Sequence, residues 1–219
     1  MGRAVIDEEM LHAWQAELGH HCGWRFMTCP EANLRTARLA IVTLNPGDTN
    51  QPPPFWSMEG VPSYFEEEQW ENRAAGSNGL YRPGGHPLQV QVQRLCRELC
   101  NSPSEAFTAQ FVPFCSLSWP RLASRAETLK RCRALWKQTI LQMEAKTVIA
   151  VGSSVVANEL RVLLKAELTG TFPTGWGKFV MRRFEGPQHT LVSLPHLSRF
   201  KIFGRPGGIA ECSLRAAAA

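Results

Sequence analysis

The chain has 219 residues, 44% of them hydrophobic, which is enough for a single folded domain over residues 1–219 with a substantial core. It contains no apolar stretch near the roughly 18 residues that a membrane-spanning helix needs, so we expect no membrane partner and a cytoplasmic location. Residues 1–109 hold 8 Lys/Arg against 13 Asp/Glu, whereas residues 110–219 hold 16 against 6. The second half is therefore either a solvated basic face or the part that attracts a polyanion.

Patterns in the first half predict two helices, one strand and one long loop. Apolar residues at helical spacing predict an N-terminal helix over residues 7–19. The apolar run Leu39 to Leu44 predicts the first strand. Residues 49–85 are rich in Pro, Gly and acids, which indicates a long surface excursion with a short helix around Tyr64 to Arg73.

The second half alternates between strand and helix patterns. A helical stripe begins at His86, a strand is expected over Phe107 to Phe114, and a helix follows over residues 129–143. A strand, a Gly-Ser turn and a helix start at Thr147, and a hairpin around Gly186 leads into the last strand. This alternation predicts an α/β fold, a three-layer α/β/α sandwich around a short, mainly parallel four-stranded sheet.

The seven cysteines do not form close pairs, which favours reduced, packed thiols. Cys96 and Cys100 lie one helical turn apart and could ligate a metal or an iron–sulfur cluster with Cys22 and Cys29. No compact Cys-x-x-Cys element supports that alternative. We therefore expect neither a metal nor a cofactor.

Unusual loops follow each predicted parallel strand. In such sheets the carboxyl ends of the strands hold the ligand, so we expect these loops to share one cleft. The loops are Asn45-Pro46-Gly47-Asp48, Pro113-Phe114-Cys115-Ser116, Gly152-Ser153-Ser154 and Pro195-His196-Leu197-Ser198.

The Gly-Ser turn has two readings. Ser153 or Ser154 can contact a phosphate at the start of a helix, or can simply cap that helix. The turn lacks the lysine of a P-loop and the glycine spacing of a dinucleotide site. A nucleotide cofactor is therefore disfavoured.

Taken together, the segments "LNPGD", "AQFVPFCS" and "SLPHLSRF" resemble the motifs of the uracil-DNA glycosylase superfamily, over about Arg38 to Arg205. The resemblance implies a monofunctional DNA glycosylase, which hydrolyses the N-glycosidic bond of a flipped-out base and leaves an abasic site. Asn45 would hold the attacking water, with Asp48 as a second candidate. Such a site needs donors for the departing base, and His196 is the candidate for that role.

An everted base needs an aromatic face and a side chain that reads its edge. Phe55, Trp56 and Phe114 are the candidates for stacking, and Gln110 is the candidate for edge reading. A wedge must fill the gap in the duplex, and Leu197 or Phe200 could supply it. Candidates for contacts with the DNA backbone on the same loop are Ser198, Arg199, Lys201 and Arg205.

Each assignment has a structural alternative. The loop at Asn45 could be only a turn, and Phe55 and Trp56 could be packing residues. Gln110 could point to solvent, because the period-two alternation does not choose a face without a register. His196 could be a packed or capping histidine, and the last loop an ordinary basic loop.

Two departures from the family pattern concern the substrate. Gln110 stands where the family has a pyrimidine-reading Asn, and the usual His-Pro-Ser order is changed to Leu194-Pro195-His196. The excursion, with residues 169–178 at another rim, could build a roomier pocket. These features resemble the bacterial antiphage branch, which implies a modified pyrimidine of phage DNA such as glucosylated hydroxymethylcytosine.

Two other functions stay open at this point. One is a uracil or mismatch DNA glycosylase of base excision repair, and the other is a DNA-binding module without catalysis. In every case the expected partner is DNA, double- or single-stranded, and the protein is expected to be a monomer.

Overall fold

The protein is an α/β structure in which helices cover one mixed sheet. A computed structural model describes residues 8–47, 54–71, 79–152 and 154–219. Within these ranges the strands are β1 (Leu39–Thr43), β2 (Phe107–Gln110), β3 (Thr147–Val151), β4 (Glu167–Trp176), β5 (Phe179–Glu185) and β6 (Thr190–Leu194). The helices are α1 (Glu8–Glu17), α2 (Asn33–Thr36), α3 (Tyr64–Glu67), α4 (Pro87–Leu99), α5 (Arg125–Gln142), α6 (Ser154–Leu163) and α7 (Ile209–Ala218).

The sheet has the strand order β2-β1-β3-β6-β5-β4. The first four of these strands pair in parallel, and in this register Ile41 lies opposite both Thr108 and Ile149. The last two strands run antiparallel to their neighbours. The carboxyl ends of β1, β2, β3 and β6 therefore emerge at the same edge of the sheet.

The predicted four-stranded, mainly parallel sheet is wrong, because the sheet is mixed and has six strands. The hairpin around Gly186 is confirmed and joins β5 to β6. The strand that no sequence pattern indicated is β4, whose Gly- and Pro-rich sequence had suggested a rim loop. Because β4 is an edge strand, it accommodates Pro173 and two irregularities in register. Its hydrogen bonds come from pairing with β5, which the local sequence of β4 does not predict.

Each face of the sheet carries its own hydrophobic core. Along β1, Ala40 and Val42 belong to the core that contains residues of α1, α5 and α6. Leu39 and Ile41 belong to the opposite core, which contains residues of α3, α4 and α7. This alternation follows from the period of two in a strand, and it explains the nearly continuous apolar sequence of β1.

Two predicted boundaries shift in the structure. β2 ends at Gln110 instead of Phe114, because the chain bends there although Phe111 to Phe114 remain buried. The short helix in the excursion begins after the cap Ser63, whose side chain accepts from the Phe65 backbone N–H, and it ends at Glu67. Among the described residues no helix is long and apolar enough to span a bilayer.

Candidate active site

The loops at the carboxyl ends of the parallel strands line one cavity of about 870 Å³. Two walls form it. The strand-end wall consists of Asn45, Gln110, Ser116, Gly152 and His196 with their neighbours. The excursion wall consists of Tyr64, Glu68, Trp70, Tyr81 and His86, with Arg25 beside them.

Backbone carbonyls of its own loop and of the loop after β2 orient the Asn45 side chain. Its Nδ2 donates to Pro46 O at 3.1 Å and to Ser116 O at 3.3 Å. The Ser116 N–H donates in turn to Pro46 O at 3.0 Å, which ties the loops after β1 and β2 together. Within the described chain, Oδ1 of Asn45 has no hydrogen-bond partner, so it is available as an acceptor for water.

Gln110 lies in the cavity wall and is only 5% exposed, so its side chain does not point to bulk solvent. It sits beside Thr43 in the register of β1 and β2, and Thr43 Oγ1 donates to its Oε1 at 2.5 Å. This bond engages the oxygen of the amide. Nε2, which has no partner among the described residues, then offers donors to the cavity.

His196 completes the strand-end wall at the end of β6. Its Nδ1 is 2.8 Å from Ser198 Oγ, and its ring lies against Gly152. Although the residue is exposed toward the cavity, the surrounding protein partly desolvates the ring, and this burial lowers the pKa of His196. The positive charge of Arg199 lowers this pKa further, which favours the neutral form of the imidazole.

The excursion wall contains a partly buried ion pair. Arg25 Nη1 donates to Glu68 Oε1 at 2.7 Å and to the Tyr64 hydroxyl at 3.3 Å. Burial by itself would lower the pKa of Arg25, but Tyr64 and Glu68 outweigh it, and the net direction is upward. The Arg25 Nε is buried without a partner in the described chain. This wall thus stays charged inside a partly apolar cavity.

Aromatic rings surround this ion pair. Trp70 Nε1 donates to Glu68 Oε2 at 2.5 Å, and its ring lies 5.2 Å from that of Tyr64 and 4.8 Å from that of His86. Tyr81 meets His86 edge to face at 5.2 Å. The excursion therefore contributes a wall of tilted and edge-to-face rings beside charged groups, which suits a polar ligand with flat or ring-shaped parts.

The aromatic residues predicted to stack on the base are packing residues instead. Phe114 is fully buried and stacks on His20 with 4.3 Å between ring centroids. Trp56 packs on Phe26 at 4.7 Å, and Phe55 lies under the Arg25 guanidinium at 4.9 Å. None of these three predicted residues is among the described residues that line the cavity. Their side chains pack against residues that are distant in sequence, and the local sequence does not predict these contacts.

The wedge assignment to Leu197 is also wrong, because Leu197 is fully buried in the core beneath the last loop. Phe200 is partly exposed and packs against the β4–β5 hairpin. Arg199 and Lys201 are exposed, whereas Arg205 donates to Thr174 O and Gly175 O.

Asp48 and Ser153 lie outside the described residues. Ser154 is exposed and is the first residue of α6. Among the described residues, no group of three or more His, Cys, Asp or Glu side chains could hold a metal ion, and all seven cysteines are free thiols.

Sequence reasoning missed the residues of the excursion wall. Arg25 and Glu68 are 43 positions apart, and only the tertiary structure brings them together. The available signal was the run "EEEQW" followed by "YRPGGHP", since Trp, Tyr and His so dense in a polar loop are unusual. Leu117, which is 53% exposed at the cavity mouth, was missed as well.

A search for protein-family models found none that matches the sequence, and a search among curated proteins found no significant match.

Proposed function

We propose that this protein is a DNA glycosylase that excises an everted, modified pyrimidine, such as the glucosylated hydroxymethylcytosine of phage DNA. The observation that carries the proposal is that Asn45, Gln110 and His196, from the ends of three different parallel strands, line one cavity. They would supply the three functions that hydrolysis of an N-glycosidic bond requires. The resemblance of their loops to the uracil-DNA glycosylase superfamily supports the same reaction.

In the proposed reaction, Asn45 Oδ1 accepts a hydrogen bond from a water and aims its oxygen at C1′ of the everted nucleotide. The C1′–O bond forms as the C1′–N1 bond breaks, and the electron pair of the broken bond leaves with the base. His196, as a neutral donor, stabilises the negative charge on the departing base. The proton lost from the water ultimately passes to the base or to solvent, which leaves an abasic sugar and a free base.

The orientation of the Gln110 amide supports a cytosine-type base. Thr43 engages its oxygen, so Nε2 presents donors toward the cavity. The O2 and N3 atoms of cytosine are both acceptors, whereas uracil carries a hydrogen on N3. A donor directed at N3 would therefore favour a cytosine derivative over uracil.

The excursion wall supports a base with a large polar substituent. The cavity volume of about 870 Å³ is in the upper part of the range of small-molecule sites, and a bare pyrimidine fills only a fraction of it. Trp70 and Tyr81 offer ring faces to a sugar, and the Arg25–Glu68 pair lies close to them for its hydroxyls. This half of the cavity would hold the glucosyl group.

Leu117 is the better candidate for the wedge. It is exposed at the cavity mouth, next to the Ser116 carbonyl that helps to orient Asn45. An apolar side chain in this position can enter the duplex when the nucleotide leaves the stack. The wedge and the water-binding residue would then move as one unit.

The test is a glycosylase assay on a panel of DNAs that contain glucosylated hydroxymethylcytosine, hydroxymethylcytosine, uracil or only standard bases, with alkali cleavage of abasic products. We expect cleavage of the glucosylated DNA, and a loss of about 100-fold in Asn45→Ala because the water is no longer positioned. Asn158→Ala, an exposed asparagine on α6, is the matched control.

Other outcomes would contradict the proposal. Cleavage of uracil DNA alone would support the repair enzyme instead. A non-catalytic module would be supported if the protein bound DNA tightly without cleaving any substrate and if Asn45→Ala left its protection against phage unchanged.

A further inference from the structure

The loop after β6 packs against the tip of the β4–β5 hairpin through three aromatic rings. Phe200 lies 4.2 Å from Phe179 and 5.7 Å from Trp176, measured between ring centroids. We call Trp176, Phe179 and Phe200 the aromatic platform. It joins an element that had been expected to form only a rim loop to the loop that carries His196.

Contacts with neighbouring residues position the platform, and part of it is uncovered. Trp176 Nε1 donates to Lys201 O at 3.1 Å, and the Arg205 guanidinium lies 3.9 Å from the centroid of the indole ring. Phe179 nevertheless keeps 42% of its surface exposed. A fixed, exposed ring beside other rings is a ready surface for a flat partner, because little conformational entropy is lost when that partner stacks on it.

Cations surround the platform. Lys178, Arg199 and Lys201 are all exposed, and none of them forms an ion pair with a described carboxylate. The nearby Glu211 accepts a hydrogen bond from the Gly204 N–H. Exposed rings combined with unpaired cations match single-stranded nucleic acid, whose bases stack while its phosphates are neutralised.

The platform adjoins the cavity. The backbone N–H groups of Arg199 and Phe200 both donate to the carbonyl of His196, so only one turn of chain separates the platform from the candidate active site. A nucleotide next to an everted one would therefore reach the platform without a long displacement of the strand.

We infer that the aromatic platform is a stacking site for an unpaired nucleotide of DNA, so that the protein holds single-stranded or locally opened DNA in preference to intact duplex. The β4–β5 hairpin is then a DNA-binding element. This inference rests on the proposed function only in taking DNA as the ligand.

The experiment measures binding of a fluorescein-labelled oligothymidine of about 16 nucleotides, a length within the range of single-strand sites, and of a blunt duplex of equal length. The protein is the Asn45→Ala chain, which keeps excision out of the measurement. We expect tighter binding of the single strand. We also expect Phe179→Ala to weaken that binding at least about fivefold, as loss of one stacking ring does, with little change for the duplex.

Two variants test whether the aromatic ring of Phe179 itself is responsible for single-strand binding. Phe179→Tyr keeps an aromatic face and should bind like the parent chain. Leu168→Ala removes an exposed apolar side chain from the same hairpin, 53% exposed, and should also have no effect. The far-ultraviolet circular dichroism of each variant checks that the fold is retained.

The inference is overturned if oligothymidine does not bind, if Phe179→Ala binds it as well as the parent does, or if Phe179→Ala weakens single-strand and duplex binding equally. The glycosylase panel is a separate readout. Ring-dependent single-strand binding without excision would leave this inference standing and remove the proposed function. Excision without ring-dependent binding would leave the proposed function standing and remove this inference.

Discussion

The imidazole of His196 packs directly on Gly152, so that a Cβ at position 152 would lie 2.8 Å from Cδ2 of the histidine. Gly152 also has φ +86°, a left-handed backbone conformation that residues other than glycine rarely adopt. The glycine that follows β3 thus creates the space occupied by the histidine after β6. Both residues line the cavity, so this contact links the shape of the site to a single backbone position.

Gly152→Ala should therefore reduce excision by about tenfold or more, because it displaces His196 from the departing base. The measurement is the single-turnover rate of abasic-site formation. Gly60→Ala is the control, since Gly60 has φ +79° and a Cβ there would meet nothing within 4 Å. Both variants should lose stability through backbone strain of about 1 to 3 kcal/mol. Equal excision rates in the two variants would contradict the role of the contact.

Thr43→Val should lower the selectivity for a cytosine-type base over uracil. Without the hydroxyl that donates to Gln110 Oε1, the amide can rotate and present its oxygen to the cavity. We expect kcat/KM for the cytosine-type substrate to fall about tenfold, which corresponds to the loss of one well-placed hydrogen bond of about 1.4 kcal/mol. Thr43→Ser keeps the hydroxyl and should retain most of the activity. A Thr43→Val variant with unchanged selectivity would show that Gln110 is not oriented in this way.

Glu68→Gln should destabilise the protein, because it leaves the Arg25 guanidinium, whose side chain is 8% exposed, without its counter-charge. Removing one partner of a fully buried ion pair costs more, but Glu68 is partly exposed, so we expect about 2 kcal/mol in the free energy of unfolding. Urea denaturation at pH 7 measures it. Glu67→Gln, one residue earlier and exposed, should change the free energy of unfolding by less than about 0.5 kcal/mol. Equal stabilities would mean that the pair contributes nothing net.

His20 should make the folded state sensitive to acid. Burial, reinforced by the charge of His21, lowers its pKa from 6.5 to about 4. The unfolded chain therefore binds a proton between these pH values while the folded chain does not. The contribution to stability is fully present above pH 6.5 and falls as the pH decreases to about 4, by on the order of 3 kcal/mol.

His20→Asn tests this prediction through urea denaturation at several pH values. The side chain of the variant does not titrate, so the difference in unfolding free energy between wild type and variant should narrow or reverse as the pH falls from 6.5 to 4. Other groups titrate equally in both proteins and cancel from the difference. Two parallel curves would show that His20 has no depressed pKa.

Local sequence patterns were sufficient for much of the parallel part of the fold. The apolar runs of β1 and β3 identify strands with a core on each face, because every second side chain must be buried on the same side. Parallel strands also bring their carboxyl ends to one edge, so the positions of Asn45 and His196 near one another follow from strand assignments alone.

The same patterns were insufficient where the outcome depends on contacts distant in sequence. β4 has many exposed positions and a proline, and it forms a strand only because β5 pairs with it. Phe114 and Leu197 lie beside the strand ends in sequence, yet their side chains turn into the core. The direction of a loop side chain is decided by the total packing and hydrogen bonding around it, which no short segment contains.

By itself, then, the sequence determined the parallel strands, the helices that alternate with them and the polar loops that follow the strands, since backbone hydrogen bonding and burial periodicity are local properties of the chain. The helices α2 and α7 were not predicted from it. Only the tertiary structure decided that Arg25 meets Glu68, that Gly152 makes room for His196, and that Phe200 packs on the β4–β5 hairpin. These contacts join residues far apart in the chain. Their free energies are gained only when the whole sheet and both cores are assembled.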